Sequence, residues 1–430
     1  MHASTMHDVV GWRCAVCGAR TELTAPMPWR CRNSTLTDRH HVLQATSTRL
    51  GPDDLAIASP NPFIRHDRRL AWAAAAAARG MTDAARAALV VELDESVRGV
   101  DGVGFVTTPF ARSDALSDEL GFDASGGVWV KDETGGVGGS QKARHLATIM
   151  LHLRALELLG ELPERPPLAI ASCGNAAHAA ATLARAADWP IDVYVPTWMS
   201  DGFGDRLDEL GADVHRCERR DDDPPGDPAM LRFREAVDAG AVPFTVQGPE
   251  NALCLDGGRT IGWEIAEQLV APGGPGALDA MFVQVGGGAF AACLGAGLVE
   301  MGQHPPMIAV QAAGCAPLDR TWRLGATAAD EWSDVMTPWA DPISLADGIL
   351  DDETYDWIGV VEALRATGGG TVVASEPNIE RAHALAPRAG FDASPTGTAS
   401  LAGLLQALES GTPPVGLAQR VGVVISGVTR

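Results

Sequence analysis

The chain has 430 residues, of which 46% are hydrophobic and 20% charged, and its formal net charge is −22. This composition is typical of a globular protein and excludes a largely disordered chain, while the length favours more than one domain. The strong negative charge argues against nucleic acid or an anionic membrane as a partner, because both require a basic surface.

The N-terminal sequence predicts a soluble, cytoplasmic protein with a small metal-binding module over residues 1–45. Residues 1–20 contain no signal-peptide core, and no apolar run in the chain reaches the ~20 residues of a membrane span. A knuckle of the C-x-x-C type and a third cysteine at ribbon-like spacing supply three thiolates: Cys14, Cys17 and Cys31. Ser34 replaces the expected fourth cysteine, so His40 or His41 would complete a structural zinc site, and we take His41. The alternative is a vestigial knuckle without metal.

From Arg69 onwards the sequence predicts alternating helices and strands. Two helices cover 69–88 with a break at Gly80, another runs from the loop around Lys142 to about Glu161, and a third covers 175–187. The candidate strands are 128–130, 168–171, 191–195, 242–246, 281–285, 307–311, 371–374 and 421–425. Pro243 marks a strand start or a sheet edge, because proline cannot donate to a central ladder. Continuous apolar strands between helices indicate parallel sheets covered on both faces, an α/β fold.

The chain contains only two lysines, Lys131 and Lys142, so nearly all of its 33 basic residues are arginines. A lysine kept in such a chain is a candidate for chemistry that only a primary amine performs, as nucleophile or Schiff-base former. Lys142 lies in the small-residue loop 138–144, which leads into an apolar helix, and we take it as a cofactor-bearing amine. The alternative is an ordinary surface lysine. For Lys131 we expect a carboxylate partner and no catalytic role.

Three loops follow predicted strands, where open α/β sheets place their ligands. The first carries Lys142, the second is the segment 172–176, and the third is 286–289. Consecutive glycines before a helix form a cradle for an anion, most often phosphate, although a tight turn also explains them. The spacing of this loop fails the dinucleotide fingerprint, and the Lys142 loop lacks the GK[ST] of a P-loop.

An amine, a phosphate cradle and an amide side chain together indicate pyridoxal 5′-phosphate (PLP) as the cofactor. Lys142 would form the Schiff base, and Asn175 would hydrogen-bond the ring 3′-oxygen. The residues expected to hold the phosphate are Gly286, Gly287, Gly288 and Ala289.

The loops resemble those of the fold-type II PLP enzymes of the tryptophan synthase beta superfamily, and more narrowly the threonine synthase and serine/threonine dehydratase group. The resemblance covers most of the chain from about Thr108, with the motifs in the family's order. The matching segments are 108–110, 130–133, 140–142, 172–175, 257–265, 286–288 and 311–317.

This resemblance implies a fold, an assembly and further site residues. It implies two doubly wound sheet domains with the cofactor between them, a large one (46–145 and 250–430) and a small one (146–249), after the N-terminal ribbon. A homodimer follows from the same resemblance, and Ser172 and Gly174 would bind an amino-acid substrate.

The resemblance also assigns a chemical role to Ser426. The segment 424–427 is similar to the strand whose hydroxyl faces the pyridine nitrogen, although a hydroxyl that merely caps a strand end is the alternative. A neutral partner leaves this nitrogen largely unprotonated, which favours elimination or replacement at Cβ or Cγ over transamination. We therefore expect a PLP-dependent lyase or synthase in which the freed Lys142 amine removes the α-proton.

The identity of the substrate stays open between several reactions. A threonine synthase-like reaction needs a site for the phosphate of its substrate, for which Arg144 and a few other arginines would have to serve. A serine/threonine dehydratase and a β-replacement synthase are the alternatives within the family. A non-catalytic sensor with the same fold is the alternative of another class. Gln141, His145 and the segment 394–397 depart from the family pattern and leave the substrate undetermined.

Overall fold

A computed structural model describes residues 7–35, 37–48, 57–224 and 226–429. The strands are β1 (Val9–Cys14), β2 (Arg20–Glu22), β3 (Leu43–Ser47), β4 (Phe110–Ser113), β5 (Gly127–Asp132), β6 (Leu168–Ala171), β7 (Ile191–Pro196), β8 (Asp213–Cys217), β9 (Val242–Pro243), β10 (Ala280–Gln284), β11 (Met307–Ala312), β12 (Gly370–Ala374) and β13 (Arg420–Ile425). The helices are α1 (Pro62–Arg65), α2 (Ala71–Ala78), α3 (Asp83–Asp101), α4 (Asp114–Glu119), α5 (Lys142–Leu158), α6 (Asn175–Ala186), α7 (Asp201–Glu209), α8 (Pro228–Asp238), α9 (Leu253–Val270), α10 (Ala289–Glu300), α11 (Pro317–Arg323), α12 (Trp332–Val335), α13 (Trp357–Thr367), α14 (Glu376–Arg388) and α15 (Ala399–Ser410).

The strands form three sheets. The N-terminal sheet is antiparallel in the order β2-β1-β3. The six-stranded sheet has the order β12-β11-β10-β13-β5-β4 and is parallel except at its edge, where β4 pairs antiparallel with β5. The four-stranded sheet is parallel in the order β8-β7-β6-β9. The α/β prediction is confirmed.

The central strands are apolar because helices cover both faces of their sheet. Every residue of β10 and β11 is buried, as expected for a parallel sheet in the interior. Helix α9 passes between α5 and α10, and its glycines permit close backbone contact. A Cβ at Gly257 would overlap the Arg144 carbonyl, and one at Gly262 would overlap the Leu294 carbonyl. Substituting Gly257 would push α5, which begins with Lys142, away from α9, and substituting Gly262 would push α10 away from α9.

The structure agrees with the predicted strands to within a few residues, apart from one shortened strand. The second helix predicted in 69–88 extends to Asp101 as α3. Five strands were not predicted individually: β1, β2 and β3 of the N-terminal module, and β4 and β8. The strand expected over 242–246 consists only of Val242–Pro243, and it lies at the sheet edge as the proline requires. Strand β4 was missed because it is short and lies at the other sheet's edge, and β8 was missed because its buried and exposed residues do not alternate. None of the helices in the described residues is long and apolar enough to cross a membrane.

The three sheets support the division into residues 1–45, the large domain 46–145 with 250–430, and the small domain 146–249, which we keep as a proposal. Strand β3 extends to Ser47, two residues beyond the proposed end of the N-terminal module.

Candidate active site

Four chain segments meet at the carboxyl ends of β5, β6, β10 and β13. The loop after β5 turns through Gly138 and Gly139, whose φ angles of 63° and 60° lie in the left-handed region that favours glycine. The carbonyl oxygen of Gly139 accepts hydrogen bonds from the backbone of Gly427 at 3.2 Å and of Val428 at 3.1 Å. The loop that carries Lys142 is therefore fastened to the segment that follows β13.

Lys142 is the first residue of α5, and its amine lies in a buried environment. Burial lowers the pKa of this amine below its usual value, while the nearby Asp351 and Cys254 oppose the decrease. A lowered pKa increases the neutral, nucleophilic fraction of the amine near neutral pH.

The glycine loop after β10 forms a cradle at the N-terminus of α10. A Cβ at Gly286 would overlap Asp351 Oδ2, and one at Gly288 would lie 2.8 Å from Thr354 Cγ2. Gly288 is also the N-cap residue with a φ of 95° and has no side chain to cap the helix. The first N–H groups of α10, beginning at Ala289, can therefore serve an anion, favoured by the positive end of the helix dipole.

The loop after β6 brings an amide side chain against the C-terminal segment. Asn175 begins α6, and its Nδ2 atom would lie 2.9 Å from a Cβ on Gly427. Gly174 is the N-cap of α6, and its N–H donates to Ser172 Oγ at 3.4 Å. Because Gly174 has no side chain to cap the helix, the α6 N-terminus is a second place where an anion can be held.

Ser426 is buried at the end of β13 and is hydrogen-bonded to Gln141. Its Oγ atom accepts from the Gln141 backbone N–H at 3.1 Å and donates to Gln141 Oε1. From the sequence, Gln141 was noted only as a departure from the family pattern, with no role assigned to it. His145, the other departure near the lysine, contacts the Cys254 carbonyl through Nδ1 at 2.8 Å, and burial lowers the pKa of its ring to about 3.

The segment 347–356 was missed by the sequence analysis, and it supplies a buried carboxyl group to the site. Burial raises the pKa of Asp351 to about 6, against the opposing effects of Lys142 and of a hydrogen bond from the Gly287 backbone. Asp351 thus lies against the glycine cradle, where its Oδ2 atom would overlap a Cβ on Gly286. The only signal in the sequence was the acidic run Asp351-Asp352-Glu353 after the apolar residues 349–350, a pattern more often found in a solvated turn.

Lys131 lies in a buried charge network on the other side of β5. Its Nζ atom lies 2.6 Å from Glu264 Oε2 and donates to the Thr108 carbonyl at 2.8 Å. The predicted carboxylate partner is confirmed. Arg144 belongs to the same network, with Nη1 2.5 Å from Glu264 Oε1 and Nε 3.2 Å from Glu133 Oε2. The expectation that Arg144 would serve a substrate phosphate is therefore wrong, because its guanidinium is already paired.

The N-terminal sheet brings the four predicted metal ligands together. The ligand atoms of Cys14, Cys17, Cys31 and His41 all lie within 4.8 Å of one another. The second ring nitrogen of His41, Nε2, lies 2.9 Å from Asp38 Oδ2, the kind of outer contact that orients a metal-binding histidine. His40 is directed elsewhere, towards Glu353 at 3.4 Å. Three thiols and an oriented imidazole form a donor set suited to zinc.

The family described as "Pyridoxal-phosphate dependent enzyme" matches residues 103–427, and the chain belongs to this family. The chain is 28% identical over 221 residues to the serine dehydratase-like protein of Mus musculus, covering 51% of this chain and 60% of that protein. It is 26% identical over 315 residues to the threonine synthase of Methanosarcina acetivorans, covering 71% and 70%. The chain thus spans well under the full length of either relative.

Solved structures confirm the fold-type II architecture. Threonine deaminase isoform 2 from Solanum lycopersicum superposes with a TM-score of 0.60 at 20% identity, over 81% of this chain and 86% of that one. Diaminopropionate ammonia lyase from Escherichia coli superposes with a TM-score of 0.59 at 18% identity, over 80% and 88%. At these identities the likeness establishes the fold alone.

The protein is therefore a PLP-dependent enzyme, and the residues present fit the cofactor. Lys142 provides a buried amine of lowered pKa. The glycine loop leaves a space that a side chain at Gly286 or Gly288 would fill. Asn175 and Ser426 provide an amide and a hydroxyl on the segments that border the lysine.

Proposed function

We propose that this enzyme acts on amino acids by elimination or replacement at Cβ or Cγ, with Lys142 as its catalytic residue. The observation that carries the proposal is that the Lys142 loop and the Gly286–Gly288 cradle follow β5 and β10 at the same edge of the six-stranded sheet, since both strands pair in parallel with β13. When bound, PLP supplies an electron sink that stabilises negative charge at the α-carbon of an amino acid.

Lys142 is the proton carrier in this proposal. With its pKa lowered by burial, the amine has a neutral form that can accept the α-proton at Nζ. The negative charge of Asp351 would favour the resulting ammonium, since Asp351 raises the pKa of the amine. Proton transfer therefore takes place inside a site from which bulk water is largely excluded.

The α6 N-terminus positions the substrate. The backbone N–H groups after Gly174, together with Ser172, would bind the α-carboxylate at the positive end of the helix. Asn175 would orient the cofactor ring through its amide.

The Gln141–Ser426 pair supports elimination over transamination. Ser426 has a neutral hydroxyl whose proton is directed to Gln141 Oε1, and Gln141 is itself uncharged. Beside a bound PLP, such a partner would leave the pyridine nitrogen unprotonated, which would favour loss of a substituent at Cβ or Cγ over transamination.

Within this group of reactions the site favours an ammonia-lyase of the dehydratase type. A threonine synthase-like reaction requires cationic side chains for the substrate phosphate, and Arg144 is already bound by Glu133 and Glu264. The serine dehydratase-like relative is consistent with this choice.

The experiment combines cofactor attachment with a spectral screen. The purified protein should carry the visible absorption band of lysine-bound PLP, and borohydride reduction followed by peptide mapping should place the cofactor on Lys142. Lys142→Ala should lose the band, and serine or threonine should shift it in the wild type. Attachment at Lys131, or a band that no amino acid shifts, would contradict the proposal and favour a non-catalytic sensor.

Four further properties belong to the proposal. The set Cys14, Cys17, Cys31 and His41 would hold one structural zinc, supported by its donor geometry. All eight cysteines are described as free thiols, which is consistent with a reducing, cytoplasmic location. We also propose a homodimer, which sedimentation at several concentrations would test, and no nucleic-acid partner, in view of the net charge of −22.

A further inference from the structure

A cavity of about 190 Å³ lies where the N-terminal module meets helix α8, and none of the residues that line it belongs to the candidate active site. Its charged lining comes from three parts of the chain: Arg30 and Arg39 of the module, Arg234 and Asp238 of α8, and Glu250 in the turn before α9. Two hydroxyl residues and one proline complete the lining. The volume corresponds to about six water molecules at ~30 Å³ each. The cavity therefore has room for a small, polar metabolite.

The three arginines keep hydrogen-bond donors that the described part of the protein does not use. Arg30 Nη1 lies 3.6 Å from Glu250 Oε2, which is too long for a hydrogen bond. Arg39 binds Glu353 through Nη2, while its Nε atom is buried and has no hydrogen-bond partner among the described residues. Arg234 donates to Glu250 Oε1 through Nε at 2.9 Å, which leaves its Nη groups for a ligand. Several guanidinium N–H groups can therefore bind carboxylate oxygens in this cavity.

Glu250 supplies a negative charge to the same cavity from a buried position. Only 4% of its surface is exposed. Its Oε1 atom accepts the hydrogen bond from Arg234, whereas its Oε2 atom is buried and accepts none from the described residues. A buried carboxylate oxygen without a donor is costly. A ligand that brings an N–H group to Oε2 would remove this cost.

We infer that this cavity is a binding site for a small acidic amino acid, separate from Lys142 and the glycine cradle. The two carboxylates of the ligand accept hydrogen bonds from the three guanidinium groups, and its α-ammonium donates to Glu250 Oε2. A dicarboxylate without the ammonium meets the negative charge of Glu250, and an apolar side chain leaves guanidinium donors unpaired beside it. Binding here is independent of which amino acid the active site converts.

The test compares L-aspartate with succinate on the PLP-loaded protein by calorimetric titration. The two molecules share both carboxylates, and only aspartate carries the ammonium. The wild type should bind aspartate about tenfold or more tightly than succinate, the size expected of one charge-assisted hydrogen bond. Because the cavity is separate from Lys142, this binding should leave the absorption band of the cofactor unchanged.

Two variants identify the contacts. Arg30→Gln should weaken the binding of both molecules about tenfold, because it removes a guanidinium that both use. Glu250→Gln should weaken aspartate and strengthen succinate, until the two bind within about twofold of each other. The matched control is Arg381→Gln on α14, which removes the same charge from an exposed pair with Glu409, and it should bind both molecules like the wild type.

Three results would overturn the inference while the proposed function stands. The first is that neither molecule binds. The second is that succinate binds as tightly as aspartate in the wild type, which would make the cavity a simple anion site. The third is aspartate binding that shifts the cofactor band and persists in Arg30→Gln, which would place the ligand in the active site. Arg30 is partly exposed, so Arg30→Gln carries the test if Glu250→Gln does not fold.

Discussion

Replacing Lys131 with methionine tests the buried network and the choice of lysine in one experiment. Two cations and two carboxylates balance there, all buried: Lys131, Arg144, Glu133 and Glu264. The pKa of Glu264 is lowered to about 2 because Arg144 and Lys131 outweigh its burial. Lys131→Met leaves the network with an excess negative charge in a buried site.

The expected cost lies near the lower end of the ~3–5 kcal/mol typical of breaking a buried ion pair. Two remaining contacts limit this loss of stability. Arg144 still pairs with Glu264 at 2.5 Å, and the Thr108 carbonyl keeps a hydrogen bond from Gln268 Nε2 at 2.8 Å. We therefore expect the free energy of unfolding to fall by about 3 kcal/mol in urea titrations followed by circular dichroism.

A double variant separates charge balance from loss of packing. Lys131→Met with Glu264→Gln restores neutrality and should be more stable than Lys131→Met alone. Since Lys142 is then the only lysine in the chain, borohydride should still attach the cofactor to the protein. A loss of stability below about 1 kcal/mol, or a double variant no better than the single one, would refute the reasoning about the network.

The remaining predictions concern Asp356, Ser426 and the metal ligands. Burial raises the pKa of Asp356 to about 7, against a hydrogen bond from the Gly248 backbone. The folded state therefore binds the extra proton, and the free energy of unfolding should fall as pH rises from about 4 to 7. Asp356→Asn should make this fall smaller in urea titrations at pH 5 and 8, and the raised pKa of Asp351 contributes part of what remains. Ser426→Asp should protonate the pyridine nitrogen and slow elimination, and unchanged spectra and turnover would show that Ser426 does not touch the ring. The double variant Cys14→Ser, Cys17→Ser should lose about one zinc per chain in metal analysis while PLP stays bound; a native protein that is zinc-free, folded and active would contradict the metal site.

The sequence predicted those parts of the fold and the site that depend on residues close together in the chain. The strands β6, β10 and β13 are continuous apolar runs, and the glycines at 286–288 follow a strand directly, so neighbouring residues carry the information. The same holds for the C-x-x-C knuckle. The sequence also predicted that Lys131 would pair with a carboxylate, because a buried amine requires one. It did not indicate which of the chain's 55 acidic residues that would be.

What the sequence did not predict depends on contacts between distant segments. Gln141 and Ser426 are separated by 285 positions, and no periodicity relates them. Asp351 has the sequence context of a solvated turn and becomes a buried acid only because the segment 347–356 packs on the glycine cradle. Arg144 carries a charge that seemed available for a phosphate, until the fold placed two glutamates beside it.

The N-terminal module links a feature that the sequence predicted, the cysteine cluster, to one that it did not, the segment 347–356. Arg39 and His40 immediately precede the predicted ligand His41, and both contact Glu353. Trp332 stacks on the His40 ring with centroids 4.5 Å apart and lies under the Arg39 guanidinium at 4.7 Å. Glu353 is two residues beyond Asp351. The N-terminal module, which carries the cysteine cluster, therefore contacts the same segment that packs on the glycine cradle. The N-terminal module, whose cysteine motif the sequence predicts, thus helps to hold the acidic segment that the sequence does not explain, because Arg39 and Glu353 form a short, partly buried ion pair between them.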